Sequence, residues 1–402
     1  MNLESFIQTP DPHRFLDITW DVIIVGAGPS GLIAAWYLAN RGYRILVLDK
    51  AAFPREKVCG DGLNHDAVRF LNKMGLFQFI RPYCYAAPKT VLYSSKGCMI
   101  DINGPFYTIP RITFDHILAE KAASAGAVFA NITVIGFNNN AKGQYAIVGK
   151  NTNRPLKSRF IILATGAKTG LVKKLGISTN HFPSAMAARF YVRSSINIAT
   201  LIASFHPDVL PGYGWIFPLG NCHYNIGVIS YYRKRCLTGP SPKSRLKSFC
   251  SHFKPAQRLI SRGEPISRIR AAPLFSGLPR SIFPGKGNIL MTGESIATTY
   301  PFTGEGLGKA METGLTAAKI IESSAKNNRK QMHQEFQKEL DKKFRPKYKG
   351  FFSAEKIMGN SWRNDLIIRV TSHSRFLKSV LHDAVVNDRG LWVSFYRNIF
   401  IH

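Results

Sequence analysis

The sequence predicts an α/β fold: a discontinuous parallel-sheet nucleotide domain, an inserted antiparallel sheet and a helical C-terminal region. Three observations predict it. Val25-Gly-Ala-Gly-Pro-Ser-Gly31 follows a short apolar run near one end of the chain. Thr292-Gly-Glu-Ser-Ile-Ala-Thr-Thr-Tyr-Pro-Phe-Thr-Gly-Glu-Gly306 is a second glycine-rich segment near the other. Between them lie several short runs of alternating polarity, the mark of half-buried strands.

Asp21-Val-Ile-Ile-Val25 is β-branched and apolar, as a strand buried on both faces requires. Gly26, Gly28 and Gly31 follow in G-x-G-x-x-G spacing. They suit a tight turn, close backbone approach to a pyrophosphate, and close helix–strand packing. After Pro29 the helix Ser30–Asn40 begins, and its free amides face the phosphates. Gly42 closes it, and Tyr43–Leu48 leads to Asp49 and Lys50, where a ribose-binding acid is expected. Val22–Ala39 lacks charge, yet three glycines and Pro29 argue for a strand–turn–helix unit and against a membrane span.

Further along, Lys57–Met74 reads as a loop entering a helix, and Thr90–Tyr93 and Met99–Ile102 as strands. Ile112–Gly126 reads as a helix with Asp115 in its first turn; Ala127–Val134, Tyr145–Val148 and Arg159–Leu163 read as strands. Ala185–Val192, Ala199–Phe205, Trp215–Pro218 and Tyr224–Tyr231 predict a second, mostly antiparallel sheet. Ile289–Met291 is one more buried strand, before the helix Gly306–Ser323. Helices are expected at Gln331–Phe344, Ser353–Met358 and Arg375–Val386. These elements divide the chain into a nucleotide domain (20–80, 104–180, 280–325), a substrate-binding sheet domain (81–103, 181–279) and a basic helical region (326–402).

A chain of 402 residues with 45% hydrophobic and 12% aromatic content has enough apolar surface for a sizeable folded core. Met1–Trp20 has no basic n-region and no continuous apolar run, so it does not read as a secretory signal. Cys59, Cys84, Cys98, Cys222, Cys236 and Cys250 form no C-x-x-C pair, which excludes a zinc site by spacing and fits reduced thiols. No metal is expected. A cytoplasmic protein is expected, peripheral at the inner face of the membrane. Net charge is +30, from 54 Lys and Arg against 24 Asp and Glu. Arg233–Arg270 carries eleven basic residues and one acid, and 326–402 carries sixteen basic and seven acidic. Such stretches suit a solvated face, an anionic membrane surface or an acidic carrier protein. Nucleic acid is not expected, because no recognised binding motif accompanies the charge.

The paired glycine segments point to a flavin enzyme. With the motifs between them, the chain resembles the p-hydroxybenzoate hydroxylase flavoprotein superfamily and, within it, the geranylgeranyl reductase-like branch. The resemblance covers roughly residues 20–320. It implies a Rossmann-like FAD-binding domain of the glutathione reductase type. Phe53-Pro-Arg-Glu-Lys-Val-Cys-Gly-Asp-Gly-Leu63 is similar to the reductases' R-x-K-x-C-G-G/D-G-L signature. That similarity implies Arg55, Lys57 and Gly60 beside the cofactor and Cys59 near the flavin ring, as a catalytic proton donor or thiolate with a lowered pKa. Tyr213-Gly-Trp-Ile-Phe-Pro218 is similar to the Y-x-W-x-F-P pattern, which implies that Tyr213, Trp215, Phe217 and Pro218 contact substrate; Ile229 stands where the family often has glycine.

The closing loop resembles G-D-A/S…P-x-x-G-E-G, with Glu294 in place of the usual Asp. It implies cofactor contacts from Gly293, Glu294, Gly304, Glu305 and Gly306, and Arg111 matches an arginine that contacts FAD. Leu163-Ala-Thr-Gly-Ala-Lys168 lacks the Asp of the superfamily's G-A-D-G. No second G-x-G-x-x-G unit appears, so NAD(P)H or a small electron carrier would visit transiently. The resemblance implies reduction of carbon–carbon double bonds in an isoprenoid or other lipid. The alternatives are a flavin monooxygenase or halogenase acting on an aromatic or carrier-tethered substrate, and a non-enzymatic binding protein.

Overall fold

Val22, Ile23 and Ile24 have no solvent exposure, which is the environment their β-branched side chains fit best in a strand covered on both faces. In the computed structural model, which describes residues 15–139, 145–150, 152, 154–176, 182–232, 239–279, 283–327 and 331–386, they lie in the central strand Thr19–Val25 of a six-stranded sheet. The sheet order is Gly285–Lys286, Ile289–Met291, Lys157–Leu163, Thr19–Val25, Ile45–Asp49, Val128–Asn131. Only Gly285–Lys286 at one edge pairs antiparallel. Its strands come from distant parts of the sequence, so the sheet is discontinuous along the chain. Helices Pro29–Ala39, Arg111–Ser124 and Leu307–Asn327 pack together beside it.

The second sheet has nine strands, all antiparallel to their neighbours except Leu201–Ser204, which runs parallel to Tyr85–Tyr93. It also draws in Gly62–Leu63 and the whole of Met99–Thr108. One face carries Ala188, Phe190 and Val192, covered by helices Pro242–His252 and Lys254–Ser261 through Leu246, Phe249 and Leu259. This places much of the basic stretch on that outer layer; 233–238 lie outside the described residues. Alternation turns Ala187, Tyr213, Trp215 and Ile229 to the opposite face, toward the nucleotide-binding side.

Several elements differ from expectation for physical reasons. The single run Ala127–Val134 is broken: Val128–Asn131 joins the parallel sheet, and Val134–Asn139 forms a separate two-stranded ribbon with Tyr145–Gly149. The helix around Asp115 begins at Arg111, so the acid lies past the first turn. The C-terminal helices are Met332–Lys343, Arg345–Met358, Ser361–His373 and Arg375–Val386. Pro346 falls in the first turn of its helix, where a missing N–H is tolerated. Ser361–His373 is a helix that the apolar pattern did not announce. No described helix is long and apolar enough to cross a membrane.

Candidate functional site

Val25, Leu48, Leu163 and Met291 stand in register, so the C-terminal ends of four parallel strands form one edge, the usual location of a ligand crevice in such sheets. The glycines there differ in what surrounds them. A Cβ on Gly26, whose φ is +107°, would lie 2.3 Å from the Ala164 carbonyl oxygen, and one on Gly31 would lie 2.0 Å from the Gly26 oxygen. These two glycines serve packing. Gly28 faces open space, with only Arg55 Nη2 within reach at 3.9 Å, directly before the helix Pro29–Ala39. The open space, the free helix amides and the dipole make an anion cradle.

Asp49 Oδ2 accepts from the Ala27 amide at 2.8 Å and Oδ1 from the Ala51 amide at 3.0 Å, so the carboxylate braces the glycine turn. With Phe53, Phe129 and Asn131 it lines a small cleft. Lys50 lies against Lys168, whose ammonium, with burial, pulls the Lys50 pKa down. The segment lacking the superfamily's Asp thus contributes a cation beside Lys50, while Arg55 Nε lies 3.6 Å from Asp49 Oδ2.

The two glycine-rich segments touch. Ser30 Oγ donates to Thr292 Oγ1 at 2.7 Å, and a Cβ on Gly314 would lie 2.1 Å from the Ser30 carbonyl oxygen. Gly293 takes φ +66° and donates its amide to Thr313 Oγ1 at 3.1 Å. Pro301–Gly306 turns sharply through positive φ at Phe302 and Gly304. Tyr213 Oη donates to the Thr303 carbonyl at 2.5 Å and Tyr231 Oη to that of Phe302, so two tyrosines of the second sheet hold this turn. The Glu305 carbonyl accepts from the Tyr300 amide at 2.9 Å, and a Cβ on Gly306 would meet Thr299 Oγ1 at 2.9 Å.

Glu294 Oε1 accepts from the Phe275 amide at 3.2 Å. Burial raises its pKa, opposed by the charges of Lys57 and Arg111. Because the folded pKa is raised, the ionised carboxylate costs stability as pH climbs above the ordinary glutamate value. Glu294→Gln is therefore expected to melt higher than the wild type in the flavin-free protein, with the gap growing from pH 4.5 to 7 (about the glutamate pKa to neutrality). Melting curves across that range, with no gap or a shrinking one, would contradict this.

Arg111 is buried and grips Asp115 through Nε at 2.8 Å and Nη2 at 2.7 Å, while Arg55 Nη2 reaches the same carboxylate at 3.3 Å. Burial disfavours the Arg111 charge, but Asp115 outweighs it and raises the pKa. Arg55 also donates to the Ala27 carbonyl at 2.5 Å, tying this cluster to the glycine turn.

Cys59 is partly buried, with the Arg111 guanidinium and the Asp61 amide near its sulfur. Burial nevertheless raises the thiol pKa, and the Asp61 charge adds to the rise. The expected lowering by a cationic neighbour is thus corrected: desolvation exceeds the pull of Arg111, and the thiol keeps its proton. A Cβ on Gly60 would lie 3.4 Å from Trp215 Cε2 and 3.5 Å from Phe217 Cε2, so the aromatic strand seals this loop. The Pro218 carbonyl accepts from Thr108 Oγ1 at 2.5 Å.

Sequence reasoning passed over the most connected group in the site. Asp61, fully buried at φ +63°, accepts Tyr191 Oη at 2.7 Å and Asn225 Nδ2 at 2.8 Å through Oδ2, and the Arg111 amide at 3.2 Å through Oδ1. Asn225 also donates to the Cys59 carbonyl at 2.9 Å and accepts Trp215 Nε1 at 3.0 Å. Arg189 is 1% exposed, lies over the Tyr191 ring at 4.1 Å, and leaves Nε and Nη1 without hydrogen-bond partners. It faces a cavity of about 240 Å³ walled by Lys57, Pro110, Ile112, Tyr191 and His223, among others. Of the residues expected from sequence, Lys57 alone lines that cavity; Tyr213, Trp215, Phe217 and Pro218 do not. An arginine within the apolar strand Ala185–Ser194 was the available signal.

Among the described residues no cluster of His, Cys, Asp and Glu could hold a metal ion. The open cradle at Gly28 and the cleft beside Asp49 fit the pyrophosphate and ribose of a dinucleotide. Residues 19–209 match the FAD binding domain family. Menaquinone reductase of Mycobacterium tuberculosis is 30% identical over 325 residues, covering 77% of this chain and 78% of that protein. Digeranylgeranylglycerophospholipid reductase 1 of Methanococcoides burtonii is 25% identical over 370 residues, covering 88% and 84%. A geranylgeranyl bacteriochlorophyll reductase-like protein of Thermoplasma acidophilum shares the fold with a TM-score of 0.76 at 20% identity, over 94% of this chain and 99% of that one. A nucleotide cradle closed by the second glycine loop, together with these relatives, places the chain in the geranylgeranyl reductase-like family of FAD-dependent oxidoreductases.

Proposed function

We propose that this flavoenzyme reduces carbon–carbon double bonds of an isoprenoid or other long-chain lipid. The FAD would be held in a Rossmann-like unit of the glutathione reductase type built from 20–80, 104–180 and 280–325, apart from Gly62–Leu63 and 104–108, which pair in the second sheet with the substrate-binding 81–103 and 181–279. The observation that carries the reading is the Cys59 loop, which the aromatic strand Tyr213–Pro218 seals at Gly60 and where burial raises the thiol pKa, in a chain whose relatives bear reductase names. Reduced FAD, when bound, supplies a hydride. Cys59 holds a proton at Sγ for the second carbon, so one hydride and one proton together saturate the bond. Asp61 and Asn225 fix the Cys59 loop, and Trp215 and Phe217 exclude water from it. NAD(P)H or a small electron carrier would be the source of the electrons. The enzyme works at the cytoplasmic face of an anionic membrane; an acidic carrier protein is the other partner its charge would suit.

Incubating the reduced holoenzyme with prenylated quinones and polyprenyl phospholipids, followed by mass spectrometry, tests the reading. A gain of two hydrogens per reduced bond is expected; oxygen incorporated from labelled O₂ would instead establish a monooxygenase. Cys59→Ala is expected to lower turnover by roughly 10²–10⁴-fold, the usual range for loss of a general acid. Cys59→Ser should recover part of that loss. A Cys59→Ala enzyme with wild-type turnover and an unchanged pH profile would remove Cys59 from the chemistry.

A further inference from the structure

We infer that the outer face of the helix Ser361–His373 docks this protein on an anionic lipid bilayer. The helix is inverted relative to an ordinary surface helix. Its buried side is largely polar: Asn364 Oδ1 accepts from the Ser95 amide at 2.9 Å and Asp365 Oδ1 from Ser94 Oγ at 2.6 Å, while Thr371 is also buried. Ser361 Oγ adds a bond to Ser95 Oγ at 2.9 Å. Its outer side is apolar: Trp362 is 59% exposed, Leu366 48% and Val370 49%, with Ile367 beside them. Positions four apart fall on one stripe, so Trp362, Leu366 and Val370 form a continuous ridge. Hydrogen bonds attach the helix to the protein, and its large apolar side chains are directed outward.

Charge identifies what the ridge meets. Arg363 and Arg369 lie on the same exposed arc, and Lys356, Arg375 and Lys378 are exposed on the adjoining helices. An apolar ridge with aromatic and basic residues on a helix lying flat is the pattern that enters the headgroup–acyl boundary of anionic membranes. The one buried apolar residue of the helix's middle, Ile368, packs in a cluster with Ile100 and Phe205, and the Phe205 ring lies 6.4 Å from that of Tyr213. The apolar cluster under this helix thus reaches the tyrosine that holds the closing loop. The inference rests on the lipid-substrate reading and names the surface through which such a substrate is reached.

Vesicle flotation of the full-length, flavin-loaded protein tests it, using phosphatidylcholine vesicles with and without phosphatidylglycerol. Binding is expected only with phosphatidylglycerol and should weaken with added salt. Trp362→Ser/Leu366→Ser/Val370→Ser and, separately, Arg363→Glu/Lys378→Glu should each reduce it by at least about tenfold. Melting curves and flavin content, which exposed positions should leave unchanged, control for folding. Absence of wild-type binding, or triple-variant binding equal to wild type, would overturn the inference. So would a wild-type dimer that the triple variant dissolves while vesicle binding persists, since the ridge would then be a self-interface. Flotation needs no turnover: a protein that binds vesicles yet reduces no lipid keeps this inference and loses the substrate reading, and the reverse holds equally.

Discussion

Gly31→Ala is expected to destabilise the whole nucleotide-binding half, whereas Gly28→Val should leave the fold intact and remove the flavin. The added Cβ at Gly31 would lie 2.0 Å from the Gly26 carbonyl oxygen, 3.1 Å from Ile24 Cγ2 and 3.2 Å from Ala164 Cβ. A backbone oxygen in the central turn cannot rotate away, so the first helix must shift off the sheet. Overpacking of this kind costs about 1–3 kcal/mol or more, a large share of a typical domain's stability. Gly28 meets only Arg55 Nη2, at 3.9 Å. Its substituent would instead project into the space assigned to the pyrophosphate. Thermal denaturation and bound-flavin absorbance separate the two outcomes. A Gly28→Val protein that stays yellow at wild-type stoichiometry would show that the pyrophosphate lies elsewhere. Gly314→Ala should behave like Gly31→Ala, because its Cβ would meet the Ser30 carbonyl oxygen at 2.1 Å.

Asp61→Asn should be the most damaging isosteric change in the second sheet's contact with the nucleotide domain. Both carboxylate oxygens accept from buried donors, so an amide must set its NH₂ against Tyr191 and Asn225 or against the Arg111 amide. Burial raises the Asp61 pKa despite the nearby Arg189 charge, so the cost of the substitution lies in these hydrogen bonds and not in the lost charge. Leaving a buried donor or acceptor unsatisfied costs about 1–3 kcal/mol. The backbone adds little, since Asn tolerates the positive φ of this position. Denaturant unfolding measures the loss. Equal stability of the variant and the wild type would refute the network's role.

Much of the site was legible because its determinants are local. A strand, a glycine turn, a helix and an acid must follow one another within about thirty residues to build a βαβ phosphate cradle, and Thr19–Asp49 does so in the expected order. Pro301–Gly306 was legible for the same reason, its turn depending on its own backbone. Asp61, Arg189, Tyr191 and Asn225 were not, since they meet only when one edge of the second sheet closes on the Cys59 loop. The raised thiol pKa of Cys59 was equally hidden: the sequence displays the nearby cations but not the desolvation that outweighs them. Ser361–His373 escaped because pattern reading assumes that apolar residues point inward, and here the polar face is the buried one.

The sequence by itself determined the α/β class, the nucleotide cradle at Gly26–Gly31, the return of the chain at Gly293–Gly306 and the strong positive charge. Each follows from short-range backbone stereochemistry or from composition, which need no knowledge of neighbours in space. Tertiary structure decided which glycines serve packing and which leave room for a ligand, in which direction burial moves the pKa of Cys59 and Glu294, and which helix turns its apolar side outward. Those outcomes depend on distances of a few ångströms between residues far apart in the chain, and only the packed fold supplies them.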